Sequence, residues 1–179
     1  MASLRIPVGS DDHAQGAADA VVTLVEYGDY ECPHCGAAYP VVKQLQERFG
    51  TDLRFVYRNF PIAEIHRHAL GAAMTAEFGG AKGRFWEVHD ALFENQQRLG
   101  ATLYAAIVTQ LGLDANELHA ALENATYESK VRTDFNGGVR SGVNGTPSFF
   151  INGQRYDGSP DVDSLADVFT AVIEARHPG

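Results

Sequence analysis

Two cysteines, Cys32 and Cys35, stand in a Cys-Pro-His-Cys arrangement early in a chain of 179 residues that has no others. Such a pair can close into a small disulfide ring, and reduced it offers a nucleophilic thiolate with a second thiol one helical turn away. Residues 21–27 (VVTLVEY) run just ahead of it, a β-branched apolar segment suited to a strand buried on both faces. Beyond it, Val41, Val42, Leu45 and Phe49 recur at helical spacing until Gly50 supplies a stop. The motif therefore falls at a strand-to-helix junction, with Pro33 in the first helical turn. Cys32 lies where the unpaired N–H groups of a helix point outward, which makes it the candidate nucleophile and Cys35 the candidate resolving thiol. The helix terminus stabilises a thiolate by up to ~2 kcal/mol, and His34 adds to this as a protonated or hydrogen-bonding neighbour. A combined ~3–4 kcal/mol lowers the Cys32 pKa by roughly 2–3 units and raises the dithiol potential by about 60–90 mV, making the disulfide a better oxidant.

The competing chemistry is a zinc half-site, but no second Cys or His pair at finger spacing completes the ligand set. His66 and His68 form the only other metal-like pair. On a helix, residues two apart point to nearly opposite faces, so a solvated or capping role is expected for both.

The rest of the chain must supply the scaffold. A composition of 45% hydrophobic and 21% charged residues fits one globular unit with a substantial core, here expected to have two lobes. A formal charge of −9 argues against nucleic acid or anionic membranes as partners, and no apolar run approaches the roughly 20 residues that span a bilayer, so no membrane insertion is expected. Residues 1–16 (MASLRIPVGSDDHAQG) lack the roughly 7–15-residue apolar segment of a secretory signal. The expectation is a cytoplasmic protein, or a periplasmic one from which a signal has been removed.

Residues 53–60 (LRFVYRNF) read as a second strand closed by Pro61, giving a βαβ unit with a right-handed crossover. From 62 to 142 the apolar period becomes helical, around Leu70 and Met74, then 85–92, 103–111 and 131–139. Gly79-Gly80 and Gly112 are candidate C-caps, and Asp114 with Glu117 has the spacing of a capping pair. Residues 148–151, an Asn152-Gly153 turn and residues 154–156 carry a strong hairpin signal. A last helix shows an apolar face of Leu165, Val168, Phe169, Val172 and Ile173, with Asp161 or Asp163 as N-cap.

That order, together with VEYGDYECPHC (25–35), FWEVHDALFENQ (85–96) and VNGTPSFFING (143–153), resembles the DsbA family of thiol-disulfide oxidoreductases over nearly the whole chain. The resemblance implies an α/β fold, a thioredoxin fold (βαβ…ββα) with an all-helical insertion. Residues 1–61 would form its first half, 62–142 the insertion and 143–179 the second half. It also implies that Thr146-Pro147 is a cis-proline loop facing the cysteines. Thr146 would offer main-chain groups to a substrate strand, and Pro147 would shape the groove and keep metals from the thiolates. It further implies that Glu26 is a buried carboxyl that accepts the Cys35 proton, against the alternative of an ion pair with Arg54 or Arg58. The family commonly places a lysine near this carboxylate, and none occupies the second strand here. Tyr30 and Glu31 could rim the site. Phe85, Trp86, Leu92 and Phe93 are assigned to packing, with His89 a satisfied buried histidine among them.

The functional expectation is disulfide exchange with protein or small dithiol substrates, Cys32 attacking and Cys35 resolving, with no cofactor. Partners are a cysteine-containing protein or peptide and a redox recycling partner or glutathione. His34 favours an oxidase, whereas a cytosolic setting favours a reductase or sensor. Two alternatives remain open: a glutathione-dependent transferase or isomerase of the kappa-like group, and a thioredoxin-like binding or chaperone module.

Overall fold

The computed structural model describes residues 2–177; Met1 and residues 178–179, the outer ends of the two expected half-folds, lie outside them. Along the chain run β1 (His13–Gln15), β2 (Val22–Gly28), α1 (Pro33–Phe49) and β3 (Leu53–Asn59). Five helices follow: α2 (Ala69–Ala81), α3 (Phe85–Glu94), α4 (Ala101–Gln110), α5 (Ala115–Glu123) and α6 (Glu128–Arg140). The chain closes with β4 (Ser148–Ile151), β5 (Gln154–Tyr156) and α7 (Val162–Arg176). The strands form one sheet in the order β1-β3-β2-β4-β5.

β2 and β3 pair in parallel, as a helical crossover between them demands, while β4 runs antiparallel to β2. Strand alternation sorts the side chains onto two faces. Leu24, Phe55, Tyr57, Phe149 and Ile151 pack with Ala38, Val42 and Leu45 of α1 and with Leu165 and Phe169 of α7. Val25, Tyr27, Val56, Phe60 and Phe150 face the other way, beside Phe135 of α6. Helix ends follow local chemistry. The Asp114 side chain accepts from the main-chain N–H groups of Asn116 and Glu117, and Asp161 accepts from that of Ser164. The Asn152-Gly153 hairpin turn has φ of +48° and +83°, the left-handed pair that a two-residue turn requires.

Gly79 and Gly80 do not end a helix: both lie inside α2. A Cβ on Gly79 would meet Val88 Cγ2 at 2.6 Å, and one on Gly80 would meet His13 Cε1 at 2.9 Å. These glycines let α3 and the N-terminal segment approach α2, a requirement that local sequence cannot display. β1 carries no alternating apolar signal, yet it pairs antiparallel with β3 at the sheet edge. It is held from outside the strand. Arg58, 3% exposed, donates to both carboxylate oxygens of Asp12 (2.8 and 2.9 Å) and to the carbonyls of Ile6 and Pro7.

Because Asp12 and Arg58 are desolvated together, removing the cation leaves a carboxylate stranded in the protein. Arg58→Met is expected to destabilise the fold by about 3–5 kcal/mol in urea unfolding followed by Trp86 fluorescence. A loss below ~1 kcal/mol would mean that Asp12 escapes to water and that β1 is not anchored there.

Candidate active site

β2 ends at Gly28, a turn of three residues follows, and Cys32 takes the N-cap position of α1 with extended backbone (φ −67°, ψ 123°). Pro33 occupies the first turn. The Cys32 N–H donates to Asp29 O (3.1 Å), and Cys32 O accepts from Gly36 N–H (3.0 Å), so the thiol rides on a closed turn leading into the helix. Gln96, just beyond α3, donates from Nε2 to the carbonyls of Tyr30 (2.9 Å) and Cys32 (2.8 Å). A Cβ on Gly36 would stand 2.3 Å from Gln96 Oε1, so that glycine is what admits the clamp.

Asp29 is the hub beneath the turn. One carboxylate oxygen accepts from Glu31 N–H (2.8 Å), and the other accepts from Ile62 N–H (2.9 Å) and meets His66 Nδ1 (2.8 Å). Its own N–H points at Cys35 Sγ (3.4 Å). Tyr30 is buried rather than at the rim, its hydroxyl 2.9 Å from His89 Nδ1 and its ring against Tyr57 and Phe93. Glu31 is partly buried and accepts the His68 N–H.

Sheet register delivers the opposing loop. β4 pairs with β2 up to Ser148↔Tyr27, so the residues just before β4 lie beside those just after β2. Thr146 O is 3.5 Å from Cys32 Sγ, and the Thr146–Pro147 peptide bond is cis. Ser148 Oγ donates to Gly145 O (2.7 Å), tying the loop to itself.

The two sulfurs are driven apart in proton affinity. Cys32, 5% exposed, is pushed down to about 5, chiefly by the hydrogen bond from the Cys35 thiol. Burial opposes this; Thr146 and the main-chain N–H groups of Cys35 and His34 reinforce it. The His34 side chain is exposed, and its main chain does the stabilising. Cys35 is fully buried and pushed well up, first by desolvation, then by its donation to Cys32 and by the Glu26 charge. Glu26 is 2% exposed and pushed up to about 8 by burial and then by the Cys32 charge. Its Oε1 has no hydrogen-bond partner among the described residues.

Glu26 pairs with neither arginine. In the parallel register Glu26 sits opposite Tyr57, whereas Arg58 sits opposite Tyr27 and Arg54 opposite Thr23, on the other face of the sheet. Arg54 donates to Thr23 Oγ1 and Arg58 to Asp12. A cavity of about 10 Å³, room for about one water, adjoins Glu26 between Tyr39, Lys43, Phe55 and His89. Lys43 of α1 lines the same cavity, with its ammonium paired to Asp90 at 2.9 Å. His66 and His68 lie before α2, not on it, because the segment 60–68 forms turns. Asp29, Gln96 and His66 were not singled out as site residues in the sequence. Only the position of Asp29 at the head of the Cys32 turn hinted at its place, whereas Gln96 and His66 arrive from distant segments.

Residues 9–171 match the family model described as Thioredoxin. The chain is 39% identical over 171 residues to a Na(+)/H(+) antiporter NhaA 1 of Salinispora arenicola, covering 95% of this chain and 26% of that one. It is 40% identical over 163 residues to a Na(+)/H(+) antiporter NhaA of Nitrosospira multiformis, covering 90% of this chain and again 26% of the relative. The chain thus spans about a quarter of the length of these relatives. Among solved structures, oxidised BdbD from Bacillus subtilis superposes with a TM-score of 0.87 at 23% identity, covering 97% of this chain and 98% of that one. A thioredoxin-like oxidoreductase from Silicibacter pomeroyi gives 0.80 at 27% identity, with 96% and 95% covered. A periplasmic thioredoxin-like protein from Salmonella enterica gives 0.73 at 19%, with 91% and 90% covered.

Raising the Glu26 pKa has a stability cost with a definite sign. Its folded-state value, about 8, exceeds the ordinary 4.5, so its contribution is fully present below about 4.5 and is lost as pH rises through about 8. Glu26→Gln is therefore expected to flatten the pH dependence of stability in that window and to stabilise the protein at pH 9 by on the order of a few kcal/mol. Urea unfolding of both proteins across this range checks it, and parallel pH profiles would count against a buried neutral carboxyl. Cys35→Ala is expected to move the 240-nm thiolate titration of Cys32 upward from about 5, since the strongest stabilising hydrogen bond is lost.

Proposed function

The chain belongs to the thioredoxin family, with the DsbA-like helical insertion, and from that premise we propose that it is a thiol-disulfide oxidoreductase with Cys32 as nucleophile and Cys35 as resolving thiol. The observation that carries this reading is the opposite displacement of the two thiols. One is held as a thiolate near neutrality beside the Thr146 main chain, and the other is kept protonated beneath it. A zinc site or an inert buried thiol would call for no such asymmetry.

In the oxidising direction a client thiolate attacks Cys32 Sγ of the Cys32–Cys35 disulfide, and the S–S bond breaks with its electron pair leaving on Cys35. A second client thiolate then attacks the client sulfur of the mixed disulfide, releasing Cys32 as thiolate. The client loses two electrons and the protein gains them. Cys35 needs a proton once it is released, and Glu26, neutral below about 8, is poised to supply it. In the reverse direction Glu26 would take that proton back. A water in the adjoining cavity would link Glu26 to the surface beside Lys43. The Thr146 main chain is available to pair with the client strand, and Pro147 shapes the wall of that groove. A thiolate stabilised this far makes the reduced form favourable and the disulfide oxidising.

The client is a cysteine-containing protein or peptide, and a recycling partner or glutathione restores the resting state. An oxidising compartment, such as the periplasm named for the Salmonella protein, suits this chemistry better than the cytosol. The antiporter relatives are named for ion transport. Among the described residues no helix is long and apolar enough to cross a membrane.

Cys32→Ser is expected to reduce both insulin reduction and dithiol-peptide oxidation to background. Glu26→Gln should slow attack of Cys35 on the mixed disulfide, in the reducing direction, by ~10²-fold or more. Stopped-flow quenching and mass spectrometry of the trapped adduct measure the latter. A Cys32→Ser protein that still protects an aggregating client while lacking any turnover in the unmodified protein would favour a binding module.

A further inference from the structure

Asp29 is fully buried in its side chain, where it accepts from the Glu31 N–H and the Ile62 N–H and has the His66 Nδ1 at 2.8 Å. A carboxylate in this place accepts from a His66 ring that carries its proton on Nδ1. Burying that charge is costly without a cation to compensate it, and the imidazole is the one titratable group at hydrogen-bond distance among the described residues. Asp29 is also joined to both sulfurs' supports: its carbonyl accepts the Cys32 N–H, and its N–H points at Cys35 Sγ. An uncompensated negative charge here would oppose a thiolate at Cys32.

Resting on the oxidoreductase reading, we propose that His66, fixed by Asp29, is a positioning residue that acts as a cationic counter-charge to the Cys32 thiolate and thereby weights the couple toward the dithiol. The imidazolium cancels Asp29 and leaves the helix terminus and the Cys35 thiol free to act on Cys32. Burial works against the protonated ring, while Asp29 first, then Cys32 and Glu31, hold its pKa above the usual value. The other polar or charged groups around it do not supply a competing partner. The Glu31 carboxylate is engaged by the His68 N–H, Arg67 reaches the His68 ring, and the Tyr104 hydroxyl donates to His68 O. Glu64 is exposed two residues earlier in the same turn. His66 enters through the link between β3 and α2, so it reaches the site independently of His34 in the Cys-Pro-His-Cys motif.

Charge logic separates this role from a structural one. His66→Gln strands Asp29 and is expected to raise the Cys32 thiolate midpoint by about one pH unit, a tenfold change in proton affinity that lowers the dithiol potential by about 30 mV. His66→Lys keeps the cation and should keep the midpoint near that of the unmodified protein. The double variant Asp29→Asn with His66→Gln removes both charges and should recover most of the shift. Absorbance at 240 nm and the pH profile of iodoacetamide alkylation read the midpoint, and a glutathione buffer reads the potential. By linkage, the His66 ring in the unmodified protein should titrate higher in the dithiol than in the disulfide form, measured by NMR. Equal His66 midpoints in the two forms, or Gln and Lys variants that behave alike, would overturn the proposal. None of these titrations needs a client, so a protein that passes them and yet turns over no dithiol refutes the oxidoreductase reading and leaves this one standing.

Discussion

A thiolate and a buried thiol one helical turn apart at the start of α1, each shifting the other's proton affinity, form the pair around which the molecule is arranged. The coupling is asymmetric: a Cys32 thiolate is favoured by the neighbouring thiol, and that same thiolate makes Cys35 harder to ionise. Cys32 could not hold its state alone. Cys32 at a bare helix end would gain only the pull of the terminal N–H groups, and Cys35 without Cys32 would be an ordinary buried thiol.

Much of the surrounding structure keeps that pair in place from several directions at once. The β2–β4 register sets Thr146 against Cys32, Gln96 grips the carbonyls of the turn, and Asp29 gathers the turn and the β3–α2 link onto one carboxylate. These supports come from segments far apart in sequence, which places the thiols on a rigid base. The all-helical segment therefore does more than cover the sheet, since α3 leads into the Gln96 clamp and supplies His89 to Tyr30.

Polar groups buried under the site follow a shared logic. Asp12 with Arg58, Glu77 with His13 and Asn59, and Asp29 with His66 are each satisfied by a partner from another segment. Of these buried carboxyls, Glu26 is the one with an unpartnered oxygen. A structural carboxylate would not be left with an unpartnered oxygen beside a water-sized space, and the cost of keeping it neutral is the condition under which it can exchange a proton near neutral pH.

The Cys-Pro-His-Cys spacing, the β-branched run before it and the helical period after it were enough to place a redox pair at a strand-to-helix junction, because those signals are local and act within a few residues. The Asn152-Gly153 turn and the Asp114 cap were legible for the same reason, and the cap of the last helix was narrowed to Asp161 or Asp163. Gly79 and Gly80 misled as helix ends, since their purpose is to admit Val88 and His13 from elsewhere. Which face Glu26 shares, and hence that Arg58 cannot reach it, depended on inter-strand register. The roles of Asp29, Gln96 and His66 depended on hydrogen bonds spanning 33 to 66 residues. Local sequence specifies what a segment can become through backbone preference and periodicity. Only the folded chain decides which charges and donors meet, because that is set by the packing of elements whose order along the chain does not encode their distance.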